Sequence, residues 1–155
     1  MIKLPVNCSD LAQGTGAVWV LCPAANRVVK VDVTHRSIQG TLTLAAPYVG
    51  FGTPTELWVG SDQGLVRVDA KSLQPEALFK GLNPGLEGDV AVDGDRVWVR
   101  TKDGFLHRID ARSDTVTEQI KPDGESGGGS LLVATGSIWT TADDVSNLLR
   151  LRAEG

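Results

Sequence analysis

Apolar and polar residues alternate along this chain in short runs, each closed by turn residues. That period of two predicts half-buried antiparallel strands rather than helices. Over the first forty residues the pattern predicts a strand near Asp10–Gln13, a turn at Gly14-Thr15-Gly16 and a strand at Ala17–Leu21. A loop at Pro23–Asn26 and strands at Arg27–Asp32 and Ile38–Leu44 complete the set. Asp93-Gly94 marks the corresponding first hairpin of the third unit, a type I′ signal.

The same pattern then recurs. Trp19, Trp58, Trp98 and Trp139 are spaced by 39, 40 and 41 residues, and each stands in an apolar strand: Val18-Trp19-Val20, Leu57-Trp58-Val59, Val97-Trp98-Val99 and Ile138-Trp139-Thr140. About a dozen residues on comes a second shared element, Val29-Lys30-Val31-Asp32, Val66-Arg67-Val68-Asp69 and His107-Arg108-Ile109-Asp110. The fourth copy, Leu149-Arg150-Leu151-Arg152, keeps the basic and apolar positions and loses the aspartate. A period near 40 with four strands per period predicts an all-β fold, a β-propeller of four blades with four antiparallel strands each. The expected blades are residues 7–44, 45–82, 83–121 and 122–155, in one propeller unit. The tryptophans are expected to pack blade on blade, and Asp32, Asp69 and Asp110 to cap the turn after each third strand.

The repeated Val-Trp-Val and apolar-basic-apolar-Asp elements resemble the YVTN and streptogramin-lyase-like propellers, related to the NHL group. The Gly-His and Trp-Asp marks of WD40 repeats do not occur at these positions. The resemblance runs from Ile2 to Leu151 and implies the fold. Lyases of that group use histidines and a glutamate gathered on one face; no His-x-Glu-x-His-like cluster is present, so that activity is not carried over.

The chain ends suggest how the fold closes. Residues 1–6 look like the outermost strand of a preceding blade, and the last unit, with strands at Leu131–Thr135, Ile138–Thr141 and Asn147–Arg152, lacks one. The N-terminal strand is therefore expected to complete the last blade, in the same chain or in a partner, which removes an exposed sheet edge. Four blades about 90° apart need bulky wedges, whereas eight blades about 45° apart need modest ones. With three Phe, one Tyr and four Trp, the chain favours a homodimer building one eight-bladed ring. A compact four-bladed ring, a piece of a six- or seven-bladed protein, and a designed or excised self-assembling repeat without ligand are the alternatives.

Composition narrows the partners. Glycine makes up 18 of 155 residues, above the usual ~7%, as a turn-rich fold requires. Net charge is −4 and pI about 5.1, which opposes binding to nucleic acid or anionic lipid. No apolar run approaches the ~20 residues of a membrane span, and no signal peptide opens the chain. Cys8 and Cys22 flank the first hairpin symmetrically about Thr15, so they are disulfide candidates. A bridge implies a periplasmic or extracellular setting, and free thiols a cytoplasmic one.

Candidate chemistry is sparse. His35 falls in an outer turn and His107 within a third strand, both expected to be structural and far from a central channel. The loops entering the inner strands and leaving the second strands should gather at the channel mouth, where ligands dock. They hold Asn7, Asp10, Tyr48, Asp62, Glu87, Asp89, Lys102, Asp103, Asp123, Glu125, Asp143 and Asp144. This acidic face suits a basic protein segment or a small ligand. No cofactor is expected, with Ca²⁺ or Mg²⁺ the alternative; there is no Asp-x-Asp-x-Asp cage. The expected function is a non-catalytic binding or scaffold module, against a metal-assisted lyase or hydrolase. The glycine-rich stretch Lys121–Ser130 reads as a slack linker or a lid.

Overall fold

The computed structural model describes residues 1–4, 7–14, 16–122, 127–142 and 147–152. Two compact units, Met1–Asn83 and Pro84–Gly155, divide the chain. The first holds two sheets. One is β1 (Asp10–Gly14), β2 (Ala17–Cys22), β3 (Arg27–Asp32) and β4 (Ser37–Thr43); the other is β5 (Val49–Gly52), β6 (Glu56–Ser61), β7 (Gly64–Asp69) and β8 (Pro75–Phe79). The second unit holds β9 (Asp89–Asp93), β10 (Arg96–Arg100), β11 (Leu106–Asp110) and β12 (Thr115–Ile120) in one sheet, and β13 (Leu131–Ala134), β14 (Ser137–Ala142) and β15 (Asn147–Arg152) in the other. Every strand pairs antiparallel with its sequence neighbour. These are four meanders, three of four strands and, among the described residues, one of three.

The repeated residues do repeated work. Across the second and third strands of each sheet, Trp19 pairs with Lys30, Trp58 with Arg67, Trp98 with Arg108 and Trp139 with Arg150. Cross-strand partners share a face, so each cation stands over its indole, at 5.4, 5.9, 5.7 and 5.5 Å from a ring centre. One residue later the ladder slips in three of the sheets. The slip is a β-bulge that leaves Gln39, Glu76 or Thr117 without a ladder partner on the fourth strand, and each exposed side chain reaches across to the third strand. Gln39 donates to Asp32 at 2.9 Å, Glu76 faces Arg67 at 3.5 Å, and Thr117 accepts from Arg108 at 3.1 Å.

Aspartates end the same three strands. Asp32 accepts the backbone N–H groups of Thr34 and His35, Asp69 those of Lys71 and Ser72, and Asp110 those of Arg112 and Ser113, at 2.6 to 3.1 Å. Four residues after each aspartate the chain turns through a left-handed residue, Arg36, Leu73 or Asp114, with φ of 53, 60 and 52°. These bonds hold all three carboxyls below their usual range. Asp32 falls to about 2, chiefly because the His35 ring also bonds it.

Packing between sheets follows one rule. The tryptophan face of one sheet lies on the opposite face of the next. In the first unit Ala12, Trp19, Leu21 and Val28 meet Leu57, Val59, Val66 and Val68. In the second, Ala91, Trp98 and Leu106 meet Leu131 and Ile138. Trp19, Trp58 and Trp98 are at most 1% exposed. Glycine lets the inner strands of the first unit approach: a Cβ at Gly52 would run into the Gln13 carbonyl oxygen and the Gly14 Cα.

Several expectations shift. The expected N-terminal strand is absent over Met1–Leu4 (Pro5 and Val6 lie outside the described residues). Ile2 and Leu4 instead pack on Val20, Cys22, Val29 and Val31 of the first sheet. The tether explains this: Cys8 is bonded to Cys22, with Cα atoms 4.0 Å apart. The bridge is not formed across a pair centred on Thr15, itself outside the described residues. The ladder pairs Gly14 with Ala17 and Asp10 with Leu21, half a residue off that centre, and Cys8 lies ahead of β1. In the third sheet Asp93 pairs with Arg96, so the turn is Gly94-Asp95 with only Gly94 at positive φ, the pattern of type II′ rather than I′. Type I′ values belong to Thr135 and Gly136, at 52 and 68°.

Candidate functional site

Each unit presents its own cluster of loops where chains enter first strands and leave second ones. In the first unit the loop before β5 meets the loop after β6. The Tyr48 hydroxyl donates to Asp62 at 2.6 Å, the Tyr48 N–H donates to the Gly60 carbonyl at 2.9 Å, and the Asp62 N–H reaches the Ala45 carbonyl at 3.4 Å. The carboxylate beside it pushes the Tyr48 phenol above its usual range. Asn7 and Asp10 stand exposed at the entry to β1; the Asp10 carboxylate accepts the Leu11 N–H at 2.8 Å.

In the second unit the loop before β9 sits against the loop before β13. The Gly129 N–H donates to the Glu87 carbonyl at 2.6 Å, and the Leu131 N–H donates to the Asp89 carboxylate at 2.7 Å. Asp89 also accepts the Val90 N–H at 2.8 Å. Gly88 touches the Arg100 carbonyl so closely that a Cβ there has no room, and Gly128 lies as tightly on Glu87. A Cβ at Gly85 would sit 3.3 Å from the Lys102 Cβ. The described part of the glycine-rich stretch is thus packed rather than slack, because only glycine lets these backbones meet. Thr101 donates to Asp103 at 2.5 Å, fixing the loop after β10.

The structure therefore joins Tyr48 to Asp62 in one unit, and sets Glu87, Asp89, Lys102 and Asp103 on meeting loops in the other. Asp123, Glu125, Asp143 and Asp144, with the Pro122-Asp123-Gly124 turn, fall wholly or partly outside the described residues. Among the described residues, no three His, Cys, Asp or Glu side chains gather closely enough to hold a metal ion. No described helix is long and apolar enough to cross a membrane.

Sequence reasoning missed Arg100. It is 1% exposed and stands opposite Asp89 in the ladder, placing a buried cation beneath the acidic loops. The signal was a break in the repeat: Leu21, Gly60 and Thr141 hold the equivalent places. His107 stands in a third strand, as expected. It is the second residue of β11, 9% exposed, beside Phe105 at 6.2 Å between ring centres. Burial holds its pKa below the usual value, and the Asp103 carboxylate opposes that shift. His35 is in the outer turn as expected, with its Nδ1 2.9 Å from Asp32.

No family model and no curated protein sequence matches the chain. Among solved structures it is similar to the computationally designed Ika4 protein, with a TM-score of 0.77 and 12% identity over 99% of this chain and 97% of that one. It is also similar to BamB from Moraxella catarrhalis (TM-score 0.71, 10% identity, 93% of this chain) and to Saccharomyces cerevisiae Sqt1 (0.73, 13%, 90%). The chain spans 42% of each of those two. These neighbours are β-propellers. The fold defined by the four meanders is the β-propeller, and each sheet is one of its blades.

Proposed function

We propose that the chain is a non-catalytic propeller module, of the YVTN and streptogramin-lyase-like, NHL-related type, that docks a basic protein segment on its acidic loops. The observation that carries this reading is the bonding of those loops. Tyr48 holds Asp62, and the Glu87 carbonyl and the half-buried Asp89 carboxylate hold the stretch entering β13, so the exposed carboxylates of Asp62 and Glu87 stand on a fixed frame. A preorganised surface spends little binding energy on ordering itself. The remaining polar groups of the repeat serve the fold: Asp32, Asp69 and Asp110 cap turns, and Lys30, Arg67, Arg108 and Arg150 cover tryptophans. The Cys8–Cys22 bridge supports an oxidising compartment.

Calorimetric titration tests this. A Lys/Arg-rich peptide should give heat that fades as salt rises, and Asp62→Asn with Glu87→Gln should weaken it. Heat with Ca²⁺ or Mg²⁺ but none with the peptide contradicts the reading.

A further inference from the structure

Two faces of the chain carry residues at the positions that seal its internal seams; one stands open, and the other is covered in part by the chain's own N-terminal segment. In both seams the inner-strand residue opposite the tryptophan is buried, Ala12 at 2% and Ala91 at 4% exposure; its equivalent in the fourth sheet, Leu132, is 60% exposed. Leu148 repeats the position of Val28 and Leu106, which are at most 1% exposed, and is 65% exposed. The tryptophan face of the fourth sheet is thus a half-seam. The opposite face of the first sheet is the other half. Leu11 there repeats the position of Leu131, which is 8% exposed inside its seam, and is 65% exposed. Beside it Val20, Val29 and Val31, at most 6% exposed beneath Ile2 and Leu4, repeat the positions of Val59, Val66 and Val68, which receive the first sheet's tryptophan face.

We propose that these faces dock on each other between two copies of this chain. The Trp139 face of one copy seats on the valine face of the other's first sheet, and the reciprocal contact closes a two-fold assembly. The occupant is a second copy because each chain carries both halves of the seam it already makes twice within itself. Polar contacts continue the same way. Lys30 crosses the first internal seam to donate to the Ala70 carbonyl at 2.8 Å. Arg150 holds the Lys30 position, and the Val33 carbonyl of a second copy holds that of Ala70.

Ile2 and Leu4 now cover part of the valine face. On docking they give way to the partner's Trp139 face. Among the described residues the partner's fourth sheet has three strands, and its β15 offers them an edge to join as a fourth.

Sedimentation equilibrium over micromolar to hundreds of micromolar chain tests this. The expected species has twice the 16.4 kDa chain mass. Leu11→Glu and Leu132→Glu alter exposed side chains, so each variant should keep its circular dichroism while dimerising at least roughly 30-fold more weakly. Mixing the two variants should recover dimer, since one of the two seams is then free of both substitutions. A wild-type monomer at every concentration, an open series of larger species, or variants that dimerise unchanged would each overturn the proposal. Peptide binding by the monomeric Leu132→Glu variant reports separately on the loop face.

Discussion

A cation lies over each of the four tryptophans, and an aspartate ends three of the four strands that carry those cations. The apolar-basic-apolar-Asp element thus encodes two local devices, a cation over the neighbouring indole and an acceptor for two N–H groups of the next turn. In the first sheet His35 adds to the second device by bonding Asp32, which raises the histidine's pKa above 6.5. The Asp32 contribution to stability is present above its unfolded value near 3.8 and fades as pH falls toward about 2. The His35 contribution is complete below 6.5 and is lost as pH rises through its raised folded value. NMR titration should show His35 titrating above, and His107 below, the ordinary value. In Asp32→Asn the His35 midpoint should fall back toward 6.5; an unchanged midpoint contradicts the pairing. Individual residues were legible where they repeat. Arg100 escaped notice because it replaces what the repeat predicts, and burial such as that of His107 depends on loops whose path no local pattern records.

Strand positions were legible because alternation and turn residues are local, and the observed β3 and β15 match the expected spans. Register was not. The half-residue offset that sets Cys8 ahead of the ladder depends on which residues of a short turn take positive φ, and that choice rests on contacts beyond the hairpin. The three bulges were hidden for the same reason: Gln39, Glu76 and Thr117 keep an apparent alternation while the ladder slips beneath them. Close approach of inner strands is an element-level property as well. Gly52→Ala should push β5 off β1 and lower stability by about 1–3 kcal/mol in urea unfolding. A change within about 0.5 kcal/mol, the size of an ordinary surface substitution, contradicts this packing.

Over the whole chain, four tryptophans at near-equal spacing were enough to read a propeller, since each repeat needs a neighbour to bury its tryptophan face. The behaviour of the N-terminal residues could not be read that way. Ile2 and Leu4 suit an outer strand and a covering segment equally, and in the single chain the Cys8–Cys22 bridge starts them beside the first sheet, which they cover. The loops were legible as an acidic composition; what fixes them is bonding between loops within each unit, Tyr48 with Asp62 in the first and Glu87 with Gly129 in the second. We propose that the protein meets its partner on these fixed acidic loops, one set in each unit. Amide chemical shifts recorded while a Lys/Arg-rich peptide is added test it most directly. Shifts should cluster at Tyr48, Asp62, Glu87, Asp89, Lys102 and Asp103 and diminish with salt; no shifts, or shifts centred on the capped turns at Asp32, Asp69 and Asp110, would refute this docking.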